Sequence, residues 1–209
     1  MFIRMSSIKS PVLLLMLASL LTACDQNPTA SNQAAKFQSL KLFPEGKSFS
    51  GFELISDEGN KWQSEDFKGN YSVLFFGYAN CPDICPTTLL DMQKVDKALT
   101  TAGIKTPEII FISVDPDRDT PAVLHDYINY FNPKFTALTG DAANILSLAS
   151  QLGVAYRVAE HEKGDMMYEV DHASALFVLN PEGERIGIFA APHDVNKITA
   201  DLKQLMEQS

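Results

Sequence analysis

Two nearly continuous apolar runs stand out along the chain, at residues 71–78 (YSVLFFGY) and 109–114 (IIFISV). They predict buried central strands, because strands covered on both faces show little polar alternation. Residues 87–102 follow a different period and predict an amphipathic helix that ends at Gly103. Its apolar positions are Leu89, Met92, Val95 and Leu99.

Shorter patterns fill the intervals between these elements. Three hairpins are predicted from residues 49–56 with 61–62, 155–160 with 167–170, and 175–179 with 185–189. A short strand is expected at 135–138, and helices at 121–131, 142–151 and 195–206, the first of them capped by Asp119 and Thr120. This order predicts an α/β fold: a mixed sheet flanked by helices, with an added N-terminal hairpin and a hairpin inserted before the loop of His172.

Composition narrows the class of protein. The chain has 209 residues, 45% hydrophobic and 21% charged, which suits one packed domain and excludes disordered, collagen-like and coiled-coil chains. The net charge of −9 and the lack of a Lys/Arg run argue against nucleic acid as a partner. An acidic surface favours basic, neutral or metal-ion partners.

The first residues have the features of a lipoprotein leader. Arg4 and Lys9 precede an uncharged apolar run that is shorter than the roughly 20 residues a membrane-spanning helix needs. The run ends in Leu-Thr-Ala-Cys, which resembles a bacterial lipobox with Cys24 as the lipidated residue. We therefore expect a signal peptide over 1–23, a flexible tether over 24–42 and one domain over 43–209. In a diderm bacterium, Asp25 would retain the lipoprotein at the inner membrane, with its domain in the periplasm.

The candidate chemistry lies in Cys81-Pro82-Asp83-Ile84-Cys85-Pro86, between the first buried strand and the first long helix. Such junctions form the carboxyl edge of an α/β sheet, where sites usually lie. Pro86 predicts that the regular helix starts there, with residues 82–85 as a turn. On a helical turn the i, i+4 spacing would place Cys81 and Cys85 on one face, with Cβ atoms about 5–6 Å apart. That separation permits a bound soft metal ion, a redox pair or a structural disulfide.

Two thiolates leave a metal ion undercoordinated, so a third ligand is expected. The candidates are His125, His161, His172 and His193. His172 is favoured, because it stands directly before a buried strand that can face the cysteines, whereas the others lie in polar or peripheral segments. Met166 and Met167 offer soft thioether groups, with packing within a hairpin as the alternative interpretation.

The sequence resembles the Sco/SenC family of copper proteins that assist cytochrome c oxidase assembly. The resemblance rests on three segments in matching order, FGY with CPDICP, SVDPDRDTP (residues 113–121) and Val170-Asp171-His172. It covers roughly residues 45–205 and implies a thioredoxin-like fold with Cys81, Cys85 and His172 as ligands of Cu(I) or Cu(II). Asp171 is a candidate for orienting the His172 ring.

Three functions remain compatible with these residues. The first is a copper metallochaperone that serves the copper A centre of cytochrome c oxidase subunit II or another cuproprotein. The second is a thiol–disulfide oxidoreductase with Cys81 and Cys85 as its redox pair. The third is a copper or redox sensor without a delivery role. We expect a monomer held at the membrane by a lipid anchor.

Overall fold

The elements below belong to a computed structural model that describes residues 37–162 and 164–208. The strands are Leu40–Lys47 (β1), Leu54–Ser56 (β2), Lys61–Trp62 (β3), Ser72–Gly77 (β4), Glu108–Ser113 (β5), Thr136–Thr139 (β6), Tyr156–Val158 (β7), Val170–His172 (β8), Leu176–Leu179 (β9) and Arg185–Phe189 (β10). The helices are Ile84–Thr101 (α1), Pro121–Phe131 (α2), Ala142–Leu152 (α3) and Val195–Glu207 (α4), with a 3₁₀ turn at Ser64–Phe67.

Eight strands form one mixed sheet in the order β1-β10-β9-β4-β5-β6-β2-β3. Strands β4, β5 and β6 run parallel, whereas the other neighbours are antiparallel. Strands β7 and β8 form a separate two-stranded sheet. The predicted mixed α/β sheet is confirmed, with β2–β3 as the N-terminal hairpin and β7–β8 as the inserted one. Since β4, β5 and β6 are parallel, their carboxyl ends meet at one edge.

The core lies between the central strands and the helices. All six residues of β4 are buried, and so are five of the six in β5. Helix α1 buries the four apolar residues that its periodicity singles out, Leu89, Met92, Val95 and Leu99. Each buried side chain of this size stabilises the fold by about 1.5–3 kcal/mol. These contacts fix the start of α1 against the carboxyl end of β4.

Strand β1 was missed in the sequence, and it extends the domain into the range expected for the tether. Residues 40–42 pair with β10 at the edge of the main sheet. The buried carboxylate of Asp201 in α4 accepts hydrogen bonds from the backbone N–H groups of Gln38, Ser39 and Leu40, at 2.6–2.8 Å. Although burial opposes it, these bonds lower the pKa of Asp201 and tie the first described residues to the last helix.

Three predicted boundaries were wrong. Only Leu54–Ser56 of the segment 49–56 is a strand. Helix α1 begins at Ile84 rather than at Pro86, which is tolerated because the first-turn N–H groups of a helix have no internal partner. The second strand of the inserted hairpin is Val170–His172 rather than 167–170, so His172 lies on a strand and not in a loop.

The leader 1–23, the lipidation candidate Cys24 and tether residues 24–36 lie outside the described residues. Within the described ranges, none of the helices combines the length and the apolar character needed to cross a membrane.

Candidate metal centre

The first two donors are positioned by the end of β4 and the start of α1. Residues 78–83 connect these elements and are called the cysteine loop below. The backbone N–H of Cys81 donates to the carbonyl oxygen of Tyr78 at 3.2 Å, which turns the loop back toward the strand. Cys85 lies in the first turn of α1 and is 1% exposed, whereas Cys81 is 9% exposed. Both are free thiols, and Cys81 is the one nearer the surface.

Gly77 makes room for Cys85 at the end of β4. A Cβ atom at this position would lie 2.5 Å from Cys85 Sγ and 2.7 Å from Phe111 Cε2. Real Cβ atoms do not approach other atoms that closely, so a side chain at residue 77 would displace the thiol. This requirement explains the glycine in the segment FGY, and periodicity alone could not have revealed it.

The third donor comes from the inserted hairpin. His172 ends β8, opposite Tyr156 of β7, and its Nε2 lies 3.4 Å from Cys85 Sγ. The other ring nitrogen, Nδ1, is 3.1 Å from the carbonyl oxygen of Ala173. The Tyr78 ring meets the imidazole edge-on, with centroids 5.8 Å apart. The Ala173 carbonyl and the Tyr78 ring therefore set the orientation of the imidazole, with Nε2 turned toward the thiols.

Cys81 Sγ, Cys85 Sγ and a His172 ring nitrogen all lie within 4.8 Å of one another. Among the described residues, this is the group of histidine, cysteine and acidic side chains that could hold a metal ion. Two thiolates and an imidazole suit Cu(I), and the imidazole also serves Cu(II). Structural zinc normally takes four protein ligands, so a three-donor set fits copper better.

The two thiols share one hydrogen bond, and this bond shifts their pKa values in opposite directions. Cys85 donates to Cys81, which lowers the pKa of Cys81 and raises that of Cys85. Burial raises the pKa of Cys85 further, whereas His172 and the backbone N–H groups of Asp83 and Cys85 favour the Cys81 thiolate. Cys81, the less buried of the two, is therefore the more acidic thiol of the pair.

A buried ionic cluster links the hairpin insertion (residues 156–172) to the end of β5. Arg118 pairs with Asp115 at 2.5 Å, with side chains 4% and 1% exposed. Arg118 Nη1 also donates to the carbonyl oxygens of Met166 and Tyr168, each at 3.1 Å. The Tyr168 hydroxyl donates to Asp115, and the guanidinium lies 3.6 Å from the centroid of the Tyr168 ring. Arg118 is therefore the cation of a buried ion pair that also holds the backbone of the insertion.

Asp119 holds the cysteine loop in place through a hydrogen bond to its backbone. Its Oδ2 accepts from the backbone N–H of Ala79 at 2.9 Å and from the hydroxyl of Ser113 at 2.6 Å. Burial raises the pKa of Asp119 to about 6. The sequence predicted that Asp119 caps the helix, and this prediction is wrong. Thr120 alone caps α2, by accepting from the backbone N–H of Val123.

The remaining histidines lie outside the three-donor group. His125 is exposed, and its Nδ1 lies 3.1 Å from Asp57. His161 stacks on Tyr168 with centroids 3.7 Å apart, a packing role that its position near a hairpin tip did not reveal. His193 is half-buried beside α4, and burial lowers its pKa.

Asp171 does not orient His172. Its exposed carboxylate pairs with Arg157 across the hairpin, at 2.8 Å and 3.1 Å. Residue 171 and residue 172 are neighbours on a strand, so their side chains point to opposite faces. The alternation of β8 therefore turns Asp171 away from the imidazole.

Comparison with known proteins places this geometry in a family. The profile described as SCO1/SenC matches residues 44–207. Protein SCO1 homolog 1, mitochondrial, of Arabidopsis thaliana is 36% identical over 149 residues, which cover 71% of this chain and 44% of that protein. A SCO2-like protein of Rickettsia felis is 36% identical over 152 residues, covering 73% of this chain and 74% of that one.

Solved structures agree with this placement. Arabidopsis thaliana ScoI with copper bound is 34% identical, with a TM-score of 0.69, and the match covers 77% of this chain and 99% of that chain. Yeast Sco1 with copper bound is 29% identical, with a TM-score of 0.71 and coverage of 78% and 90%. The chain belongs to the SCO1/SenC family and has its thioredoxin-like fold. Its Cys-Cys-His group and the copper-bound structures of its relatives make it a copper-binding protein.

Proposed function

We propose that the protein is a copper metallochaperone that holds one Cu(I) or Cu(II) ion through Cys81, Cys85 and His172. The observation that carries the proposal is the convergence of three soft or borderline donors within 4.8 Å, from two segments far apart in the chain. A three-donor site leaves room for an incoming ligand. A protein that transfers its metal ion to a recipient requires such an open position.

The recipient we propose is the copper A centre of cytochrome c oxidase subunit II, or another cuproprotein. Support comes from the family, whose relatives include Sco proteins solved with copper bound. The donors also lie at the sheet edge near the surface, where a partner can reach Cys81. We expect the protein to act as a monomer.

We further propose that the domain is held at the membrane. Cleavage after residue 23 would make Cys24 the lipidated N-terminus, and Asp25 would favour the inner membrane of a diderm bacterium. The tether would then reach the domain near Gln38, where the Asp201 carboxylate ties the chain to α4. This arrangement would present the domain in the periplasm.

The acidity of the cysteine pair favours a second function, thiol–disulfide exchange. A Cys81 thiolate would attack a target disulfide, and Cys85 would resolve the mixed disulfide and release its proton. The same pair could reduce the cysteines of a copper centre before metal transfer, so the two functions are compatible. A sensor role differs from delivery only in lacking a recipient.

Copper titration of the reduced domain, residues 34–209, tests the proposal. We expect one copper ion per chain and a thiolate-to-Cu(II) absorption band. His172→Ala should lower the affinity by more than the about 10–100-fold that loss of an outer-shell partner costs. His125→Ala is the matched control, since His125 is exposed and lies outside the three-donor group. Little copper bound by the unaltered domain, with a pair that still reduces a small-molecule disulfide, would leave only the oxidoreductase.

A further inference from the structure

Two adjacent methionines are exposed beside the metal centre. Met166 is 54% exposed and Met167 is 91% exposed. Methionine is ordinarily a buried residue, so this pair is the exception to explain. The sequence-based alternative of packing within a hairpin is wrong, because neither residue belongs to a strand.

The contacts of their neighbours hold the methionines outward. Tyr168 is buried, with its ring under the Arg118 guanidinium and its hydroxyl on Asp115. Arg118 fixes the Met166 carbonyl oxygen at 3.1 Å, and Asp165 accepts from the Met167 backbone N–H at 2.8 Å. The peptide group between the two methionines is thus held at both its C=O and its N–H, and Tyr168 anchors the chain after them, so these contacts present the two thioethers to solvent.

The methionines line a pocket that reaches the cysteine loop. The pocket has a volume of about 460 Å³, and Met166 and Met167 form one wall with Tyr168. The lining also includes Asn80 and Pro82, the residues on either side of Cys81. The two methionines and the two residues that flank Cys81 therefore line the same pocket.

We propose that Met166 and Met167 form a loading site for Cu(I), which binds the ion weakly and passes it to Cys81. This inference rests on the proposed copper function. Thioethers are soft neutral donors that select Cu(I) and bind it less strongly than a thiolate does. The exposed carboxylates of Asp165 and Glu169 flank the pair and attract the cation.

Transfer from this site is a ligand exchange without electron transfer. The ion remains Cu(I) throughout. Each copper–thioether bond that breaks is replaced by a bond to Cys81, Cys85 or His172, and a cysteine that binds as a thiolate releases any proton it carries to water. Cys81 is the first acceptor, because its two sequence neighbours line the pocket and it is the more exposed of the two thiols.

A loading-rate measurement tests the proposal. The purified protein is mixed with Cu(I) held by a weak coloured chelator, and decay of the chelate colour is followed by stopped flow. We expect the Met166→Leu/Met167→Leu variant to load several-fold more slowly while its equilibrium copper affinity stays unchanged. Leucine keeps the apolar surface and removes only the sulfur, so a surface that merely docks an apolar partner would load at the normal rate. Met206→Leu, at the opposite end of the sheet, is the matched control.

Direct binding is read separately, by NMR of labelled methionine methyl groups in the Cys81→Ser/Cys85→Ser variant titrated with Ag(I). We expect the Met166 and Met167 signals to shift and the Met206 signal to stay in place. Equal loading rates, or methyl signals that do not respond, would overturn the loading site. An unaltered protein that takes up no copper at equilibrium would instead overturn the proposed function.

Discussion

The two halves of the metal centre are attached to the fold by different forces. Cys81 and Cys85 follow β4, which is buried throughout and pairs with β5 on one side and β9 on the other. His172 belongs to a three-residue strand in a separate sheet with β7. The first half is fixed by the core and the main-sheet ladder, whereas the second depends on a few side-chain contacts.

This difference combines a donor pair held by the main sheet with a donor held by a small separate hairpin. The hairpin insertion is held against the domain by the cluster of Arg118, Asp115 and Tyr168 and by the burial of Val170 in the core. Such a cluster can be broken without disturbing the eight-stranded sheet. If the protein exchanges copper as proposed, we expect the site to open at the histidine half.

The largest effect is expected from breaking the buried ionic cluster. Arg118→Leu leaves the Asp115 carboxylate buried and unpaired, which should lower the free energy of unfolding by about 3–5 kcal/mol. Urea unfolding measures this change, and a Cu(I) competition assay should show weaker copper binding. In the Asp115→Asn/Arg118→Leu variant, much of the stability should return while the copper affinity stays low. Full affinity in both variants would show that the cluster does not hold the hairpin.

The free energy of unfolding should depend on pH through Asp119, which supports the cysteine half. The buried Asp119 carboxyl titrates near pH 6, whereas an unfolded Asp titrates near 3.9. The folded state therefore keeps this proton to higher pH, and stability falls as the pH rises between about 4 and 6. Each unit of pKa separation contributes about 1.4 kcal/mol. Asp119→Asn should remove this part of the fall, as measured by urea unfolding of the metal-free protein at several pH values. Parallel profiles for the two proteins would contradict the assignment.

Adding one methyl group should disturb the cysteine half from within. Gly77→Ala places a Cβ against Cys85 Sγ and Phe111, and overpacking of this kind costs about 1–3 kcal/mol. A double-variant cycle with Cys85→Ala separates the two contacts, since removal of the thiol should recover part of the loss. No coupling between the two substitutions would mean that Gly77 is not what accommodates Cys85.

The smallest effect is expected at the exposed pair of the hairpin. Asp171→Asn should leave both the unfolding midpoint and the copper affinity unchanged, because the carboxylate contacts Arg157 and not His172. Cu(I) competition sharpens the comparison, since an outer-shell partner of a ligand would cost about 10–100-fold in affinity. A loss of that size would restore the role that the sequence suggested for Asp171.

The parts of the fold that follow from one local pattern were predicted well. The apolar runs of β4 and β5 and the buried face of α1 need no knowledge of distant residues. Strand β1 does need it, because it is mostly exposed and contains Pro44, and its place depends on β10 and on Asp201. Local signals could not indicate either partner.

The site was predictable to a similar extent. The i, i+4 cysteines mark the chemistry on their own, whereas only the family resemblance selected His172 firmly among four histidines. The contacts that position it come from residues far apart in the chain, such as Arg118 with Tyr168 and Tyr78 with His172. Asp171 illustrates the opposite error, since adjacency in sequence does not mean contact on a strand.

The most direct test of the central claim is X-ray absorption spectroscopy of the Cu(I)-loaded protein. The structure predicts one copper ion with two sulfur neighbours and one nitrogen neighbour, and His172→Ala should lose the nitrogen while keeping both sulfurs. A shell of sulfur alone in the unaltered protein, unchanged by His172→Ala, would contradict the joining of the two halves into one copper site.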